Sequence, residues 1–308
     1  MHYPLVMAAH ILGATMQNLF MRGLHSQSGL VRKGSAFLLQ APKRIARRRA
    51  QPADFASSPP VLVNSIPKSG THLLDQIVGA IPGVRNYGEF ISSMTSSYRF
   101  RRQPAENASR RLQRSAPSEL VRAHLFFSAE VAETIERQPF VHLFIYRDPR
   151  DVVVSEALYY RRINRWHRLH PIFRDAPSDE AAILMAINGL QDDAFYFPNL
   201  GERIDNYAPW INRPGVHSIR FEDLVSPARE ERIRGMMEFY AAAAPDAAPV
   251  DELCRLALDA IDPTKSHTYR SGKSGGWRKT FTEEHRDAFK RVTGRQLVSL
   301  GYELDENW

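Results

Sequence analysis

The sequence predicts a three-layer α/β/α fold built on a central parallel sheet, and two observations carry that expectation. Short apolar runs rich in β-branched residues alternate with longer segments of helical periodicity, which is how strands buried on both faces read. The chain also has 308 residues, 43% of them hydrophobic and 24% charged, enough material for a sizeable core.

Taken in order, Leu5 to Met21 is apolar but broken by His10, Gln17 and Asn18. No run of about 18 apolar residues occurs, so a membrane-spanning helix is not expected. The stretch also lacks the basic start and cleavage pattern of a secretory signal. Leu5, Ala9, Leu12, Met16 and Leu19 recur at helical spacing, and the first 53 residues carry eight Lys or Arg with no acid. Residues 1–57 therefore read as a basic, partly amphipathic N-terminal extension. Two roles fit it: a helix lying on an anionic membrane surface, or a helix packed on the main domain and followed by a solvated basic linker. The proline- and serine-containing segment from Gln51 to Pro60 marks the boundary, with one domain expected over 58–308.

Within that domain, Val61 to Asn64, Leu120 to Ala123, Phe140 to Tyr146 and Val216 to Phe221 read as strands. Thr71 to Ile81 reads as the helix after the first strand. Further helices are expected at 128–137, 150–161, 179–195, 228–243, 250–260 and 283–298. The net charge is +7, but beyond residue 53 the chain stands near −1, so nucleic acid is not expected as a partner. A lone cysteine, Cys254, permits no intramolecular disulfide and points to a reducing, cytoplasmic compartment. No His/Asp/Glu cluster with metal spacing is present, and the expected chemistry needs no metal.

The chemistry concentrates at Ser65-Ile66-Pro67-Lys68-Ser69-Gly70-Thr71, a turn between a buried strand and a helix. Gly70 lets the backbone bend toward a ligand, the helix N-terminus adds positive potential, and Lys68 supplies a full charge, which together make an anion cradle. The triphosphatase pattern G-x-x-x-x-G-K-[ST] is not met, because Lys68 precedes Gly70. Two more blocks follow. Arg147 ends a strand and Ser155 lies on the next helix, offering a guanidinium fork and a hydroxyl. Arg270-Ser271-Gly272-Lys273-Ser274-Gly275-Gly276-Trp277-Arg278 is a basic, glycine-rich segment with the composition of a lid.

In this order and spacing the three blocks resemble the PAPS-dependent sulfotransferases, specifically the cytosolic-type domain, over roughly residues 60–300. The resemblance implies a P-loop-nucleotide-binding-like fold and the co-substrate PAPS, 3′-phosphoadenosine 5′-phosphosulfate. Lys68, Ser69, Gly70, Thr71 and His72 would hold its 5′ end, while Arg147, Ser155, Arg270, Ser271 and Gly272 would hold its 3′-phosphate. Arg122-Ala123-His124 is similar to the family's K-T-H block. That makes His124 the catalytic base, Arg122 its accompanying cation and Lys68 the group that stabilises the leaving oxygen.

The sequence departs from the family at several points. His72 and Leu73 stand where Thr-Trp is common, so the usual adenine-stacking aromatic is missing. Ser271 replaces a lysine and Gly276 an aspartate. The dimer motif aligns poorly with Arg278, Thr282, Glu283 and Asp287.

The acceptor, a hydroxyl or an amine on a glycan, glycolipid or small alcohol, would sit among 86–118 and 156–200. The second of these carries Tyr159, Tyr160, Arg161, Arg162, Arg165, Trp166, His167, Arg168 and His170. Two other classes remain open: a P-loop nucleotide kinase, and a non-catalytic PAP-binding protein associated with a membrane.

Overall fold

The computed structural model describes residues 23–24, 26, 28–94, 103–190, 196–262 and 274–308. Five strands form one wholly parallel sheet: β1 (Val61–Ser65), β2 (Phe90–Ser92), β3 (Leu120–His124), β4 (Val141–Tyr146) and β5 (Val216–Arg220), in the spatial order β2-β3-β1-β4-β5. β1 and β4 are buried at every position, as strands covered on both faces must be. Alternate residues feed two cores. Val61, Val63, Leu143 and Ile145 face the helices at Thr71–Gly79, Arg229–Ala243 and Val250–Asp259. Leu62, Val121, Ala123 and Phe144 face those at Pro149–Leu158, Asp179–Asn188 and Leu200–Tyr207.

The chain leaves β1 with β3 on one side and β4 on the other. This is the topological switch point, where the connections out of the sheet diverge and open a crevice beyond the strands' carboxyl ends. The phosphate loop follows β1 at that point.

Several elements differ from the expectation. β2, only three residues long, gives no apolar run and is invisible in the sequence. The helix expected over 150–161 runs Pro149–Leu158 and then widens into a π turn, Tyr159–Ile163. The helix expected over 283–298 breaks at Gly294 into Glu283–Thr293 and Gln296–Ser299. The helix expected over 179–195 ends at Asn188, and residues 191–195 lie outside the described residues.

The basic tract is not a solvated linker. It forms helices Gly29–Leu38 and Gln40–Arg49, and the supposed boundary forms a third, Pro52–Ser57, closed by a capping box between Gln51 and Asp54. These helices pack on the domain. Leu39 is fully buried beside Tyr87, and the Lys43 ammonium sits between the Glu89 carboxylate at 2.9 Å and that of Glu119 at 2.7 Å. The proposed amphipathic segment 5–21 lies outside the described residues. No helix among the described residues is long and apolar enough to cross a membrane.

Candidate active site

The site begins with how β1 ends. Asn64 is fully buried, and its side chain extends the sheet where the backbone ladder stops: Oδ1 accepts from Leu125 N at 2.8 Å and from Ser65 N at 3.0 Å, while Nδ2 donates to Leu125 O at 3.3 Å. This locks the end of β3 to the end of β1, so that His124 lies beside Ser65.

Beyond Ser65 the backbone turns tightly. Lys68 has φ 68° and Gly70 φ 98°, two left-handed residues within three. A side chain at Gly70 would place its Cβ 2.5 Å from Phe221 Cδ2, so only glycine fits between the loop and the ring that follows β5. The lysine's left-handed conformation costs about 1 kcal/mol and is held by its surroundings, a pattern that clusters at ligand sites. The helix Thr71–Gly79 starts at Gly70 with no side-chain cap, and Ser69 Oγ is buried with no hydrogen-bond partner in the protein. A hydroxyl left without a partner in a turn at an uncapped helix N-terminus is suited to a bound anion. The residues thus fit a phosphate group.

Arg147 sits at the end of β4 on the other side of β1. Its guanidinium lies 4.5 Å over the Phe221 ring, Nη1 donates to Lys68 O at 3.5 Å, and Nη2 is 3.5 Å from Asp151 Oδ2. Asp151 is 4% exposed and does more than pair with Arg147. It accepts from Gly275 N at 2.7 Å and from Trp277 N at 3.0 Å, tying the C-terminal glycine-rich block to the second block. Trp277 is held in turn by Arg150, whose guanidinium stacks 4.0 Å over its ring. Ser155 lies partly exposed on the same helix as Asp151. Arg270, Ser271 and Gly272, expected at the 3′-phosphate, lie outside the described residues.

On the β3 side, His124 Nδ1 is 3.1 Å from the Ser65 carbonyl and 2.9 Å from its hydroxyl, and the ring meets Phe90 edge-on at 5.1 Å. Burial first, opposed by the hydrogen bond to Ser65 and then aided by the Lys68 charge, pushes its pKa down to about 4. The imidazole is neutral at pH 7. Arg122, two residues earlier on the same face, points its guanidinium at Asp75 on the helix after the loop, 3.6 Å away. It is therefore braced by a carboxylate. Thr71 meets the Ser65 hydroxyl at 2.7 Å, and His72 follows it in the helix's first turn.

The sequence reading assigned no role to the side chains of Ser65, Asp75, Asp151 or Phe221. Each matters through a partner 47 to 151 positions away, so no local pattern could have flagged them. The π turn brings Tyr159 under the Lys68 ammonium, 3.8 Å from the ring centroid. Widened helices recur at functional sites, and none is legible in composition. His167, from the aromatic and basic segment, is buried, and its pKa is lowered to about 4 by burial and then by the Lys68 charge. That segment therefore does lie near the loop lysine. Among the described residues no group of His, Cys, Asp or Glu could hold a metal ion.

An uncapped loop at the switch point, with a basic residue at the end of each flanking strand, is an arrangement suited to phosphate in an α/β protein. The sulfotransferase domain family matches residues 58–301, and the chain belongs to that family. Its fold is similar to that of a mouse sulfotransferase, SULT7A1, complexed with PAP, at TM-score 0.54 and 17% identity over 79% of this chain and 86% of that one. It is also similar to retinol dehydratase in a complex with retinol and PAP, at TM-score 0.51 and 15% identity over 84% and 85%. No curated protein matches the sequence.

Proposed function

We propose that this sulfotransferase takes PAPS as donor and transfers the sulfuryl group in line to an acceptor hydroxyl, with His124 as base. The observation that supports this most is the placement of a neutral imidazole beside the end of β1, where the phosphate loop starts. In the step, the acceptor O–H proton passes to the unprotonated ring nitrogen of His124. The acceptor oxygen bonds to sulfur as the bond from sulfur to the bridging phosphate oxygen breaks, and PAP leaves with the electron pair. Lys68 stabilises the charge growing on that bridging oxygen, with Ser69, Gly70, Thr71 and His72 holding the 5′ end. Arg147, Ser155 and the segment Arg270 to Gly272 hold the 3′-phosphate. Arg122, braced by Asp75, contributes positive potential beside the base. A neutral histidine beside a lysine suits this task because it can accept a proton without first losing one.

The test is an acceptor screen with labelled PAPS on the wild type and His124→Ala. Turnover should fall by roughly 10² to 10⁴ in the variant while PAP still binds. Undiminished turnover would remove His124 from the mechanism. PAP binding with no transfer to any acceptor would favour a non-catalytic binding protein.

The N-terminal extension supports a second part of the reading, a cytoplasmic protein peripheral to an anionic membrane. Leu30 and Phe37 are 75% and 79% exposed on the first helix, Ile45 is 52% exposed on the second, and Lys33, Arg44 and Arg48 are exposed among them. Apolar side chains interleaved with cations on docked helices complement an anionic lipid surface. The tyrosine under Lys68 feels the charge of Arg32 from this first helix, which supports a glycolipid among the acceptors in this reading. Vesicles containing anionic lipid should sediment the full chain, and Leu30→Asp/Phe37→Asp should abolish this. Equal sedimentation of the two proteins would sink the idea. Deleting residues 1–57 is the poorer test, because it strips Lys43 from two buried carboxylates.

A further inference from the structure

We propose that Ser65 is a positioning residue that relays the charge of the bound donor to His124 through a directed chain of hydrogen bonds. This rests on the reading of the loop as the donor site and of His124 as the base.

The direction follows from one contact. The Ser65 carbonyl, 3.1 Å from His124 Nδ1, can only accept, so Nδ1 carries the hydrogen and the other ring nitrogen keeps the lone pair. The same N–H lies 2.9 Å from Ser65 Oγ, which must therefore accept from it. Ser65 then gives its own hydrogen to the nearer of its acceptors, Thr71 Oγ1 at 2.7 Å, in preference to the Ala123 carbonyl at 3.4 Å. That leaves the Thr71 hydroxyl hydrogen to point onward from the first residue of the uncapped helix, where the loop takes an anion.

The chain runs one way, from His124 N–H to Ser65 O–H to Thr71 O–H to the phosphate. An anion at its end polarises each link, and the polarised serine oxygen favours the protonated imidazole. The other groups facing the ring act in the opposite sense or are neutral. Lys68 from the loop and Arg122 from the same strand both disfavour the imidazolium, Asp75 is engaged with Arg122, and Phe90 from β2 is uncharged. The serine chain is thus a route by which donor binding raises the basicity of a histidine that burial has suppressed. It also gives a reason for a hydroxyl at position 65, the last residue of a strand whose other members are apolar apart from Asn64.

The experiment is ¹⁵N NMR of the histidine side chains across pH, in the wild type, Ser65→Ala and Ser65→Thr, with and without saturating PAP. The wild type should show the Nδ1–H tautomer at His124, and PAP should raise its pKa by about one unit or more. Ser65→Ala should lose most of that rise and Ser65→Thr should recover it, with kcat following the same order at saturating donor. An equal rise in Ser65→Ala, or an Nε2–H tautomer in the wild type, overturns the proposal. Thr71→Val breaks the chain one link further on and carries the same test should Ser65→Ala not fold. Because the readout needs no turnover, it separates from the transfer reaction: absence of PAP binding would defeat the donor-site reading, while binding without a serine-dependent shift defeats only the relay.

Discussion

Asp151→Asn tests whether the C-terminal block is bound into the donor site through one buried carboxylate. Asp151 accepts from Gly275 N at 2.7 Å and Trp277 N at 3.0 Å and lies 3.5 Å from the Arg147 guanidinium. Hydrogen bonds to a charged acceptor contribute about 1.5–3 kcal/mol each. Asparagine keeps the shape but turns one acceptor into an NH₂ that must face a backbone N–H or a guanidinium. At least one such bond is lost and a donor–donor contact appears, a local cost of about 2–4 kcal/mol. Set against this, Arg147 is released from a carboxylate and is freer to meet a phosphate, a gain of about 1 kcal/mol for a pair at this distance. The net expectation is PAP affinity lowered roughly 10- to 100-fold, at 1.4 kcal/mol per factor of ten. Isothermal titration at fixed ionic strength measures it, with Asp175→Asn, an exposed ion pair to Arg174, as the control. Affinity unchanged or increased in Asp151→Asn would refute the argument that the Asp151 contacts to Gly275 and Trp277 support donor binding.

Three further outcomes follow from the same geometry. Gly70→Ala puts a methyl 2.5 Å from Phe221 Cδ2 at φ 98°, and should weaken PAP binding at least about tenfold, the left-handed strain alone being about 1–2 kcal/mol; wild-type affinity by titration would count against the close approach. Lys43→Ala strands Glu119 and half-strands Glu89, which keeps Arg111, and should cost about 3–5 kcal/mol in urea unfolding at pH 7. The deficit should shrink in acid, since burial already raises the Glu119 carboxyl toward protonation. His142, buried against Trp210 with no hydrogen-bond partner for either ring nitrogen, has its pKa pushed down to about 3 by burial. The unfolded chain therefore takes up a proton that the native state refuses, so the stability this residue contributes is complete above about pH 6.5 and is lost as the pH falls toward 3. His142→Phe should flatten the acid limb of stability by up to about 1.4 kcal/mol per pH unit, and an unchanged limb would oppose this.

Much of the frame was legible because it rests on local pattern. β1 and β4 are mostly apolar runs of strand length, β3 and β5 keep shorter apolar stretches, and the loop after β1 carries its lysine and glycine in one short stretch. What escaped the reading depends on partners far along the chain. Lys43 looked like one more charge in a solvated tract, yet it is buried because Glu89 and Glu119 converge on it from 46 and 76 positions away. Phe221 gave no hint of its role until the order of the sheet brought β5 beside β4 and set the ring against Gly70. Asp151 pairs with Arg147 four positions away, but its bonds to Gly275 and Trp277 are tertiary and leave no local mark. The π turn under Lys68 has no compositional mark at all.

On the proposed function, the order of the sheet also gives a reason for the histidine and the arginine to stand on different strands. β3 and β4 flank β1, so the residues at their carboxyl ends stand two strand spacings apart, roughly 10 Å. The phosphate loop rises between them from β1. A donor bearing phosphates at both its 5′ and 3′ positions can lie across that interval, with one end in the loop and the other toward Arg147, and its reactive sulfur is then left on the side of His124. If both residues came from one strand, either the base would face the wrong end of the donor or the 3′-phosphate would lose its cation. His124 also sits low on its side of the crevice, tied to the end of β1 by Ser65 and by the Asn64 clasp on Leu125. The proposed base is thus fixed to the same strand end that sets the loop, so its position is governed by the sheet. The acceptor has no such frame. In the proposed function its surroundings are the π turn, the segment leading to His167 and the docked N-terminal helices, none of which helps to build the loop after β1.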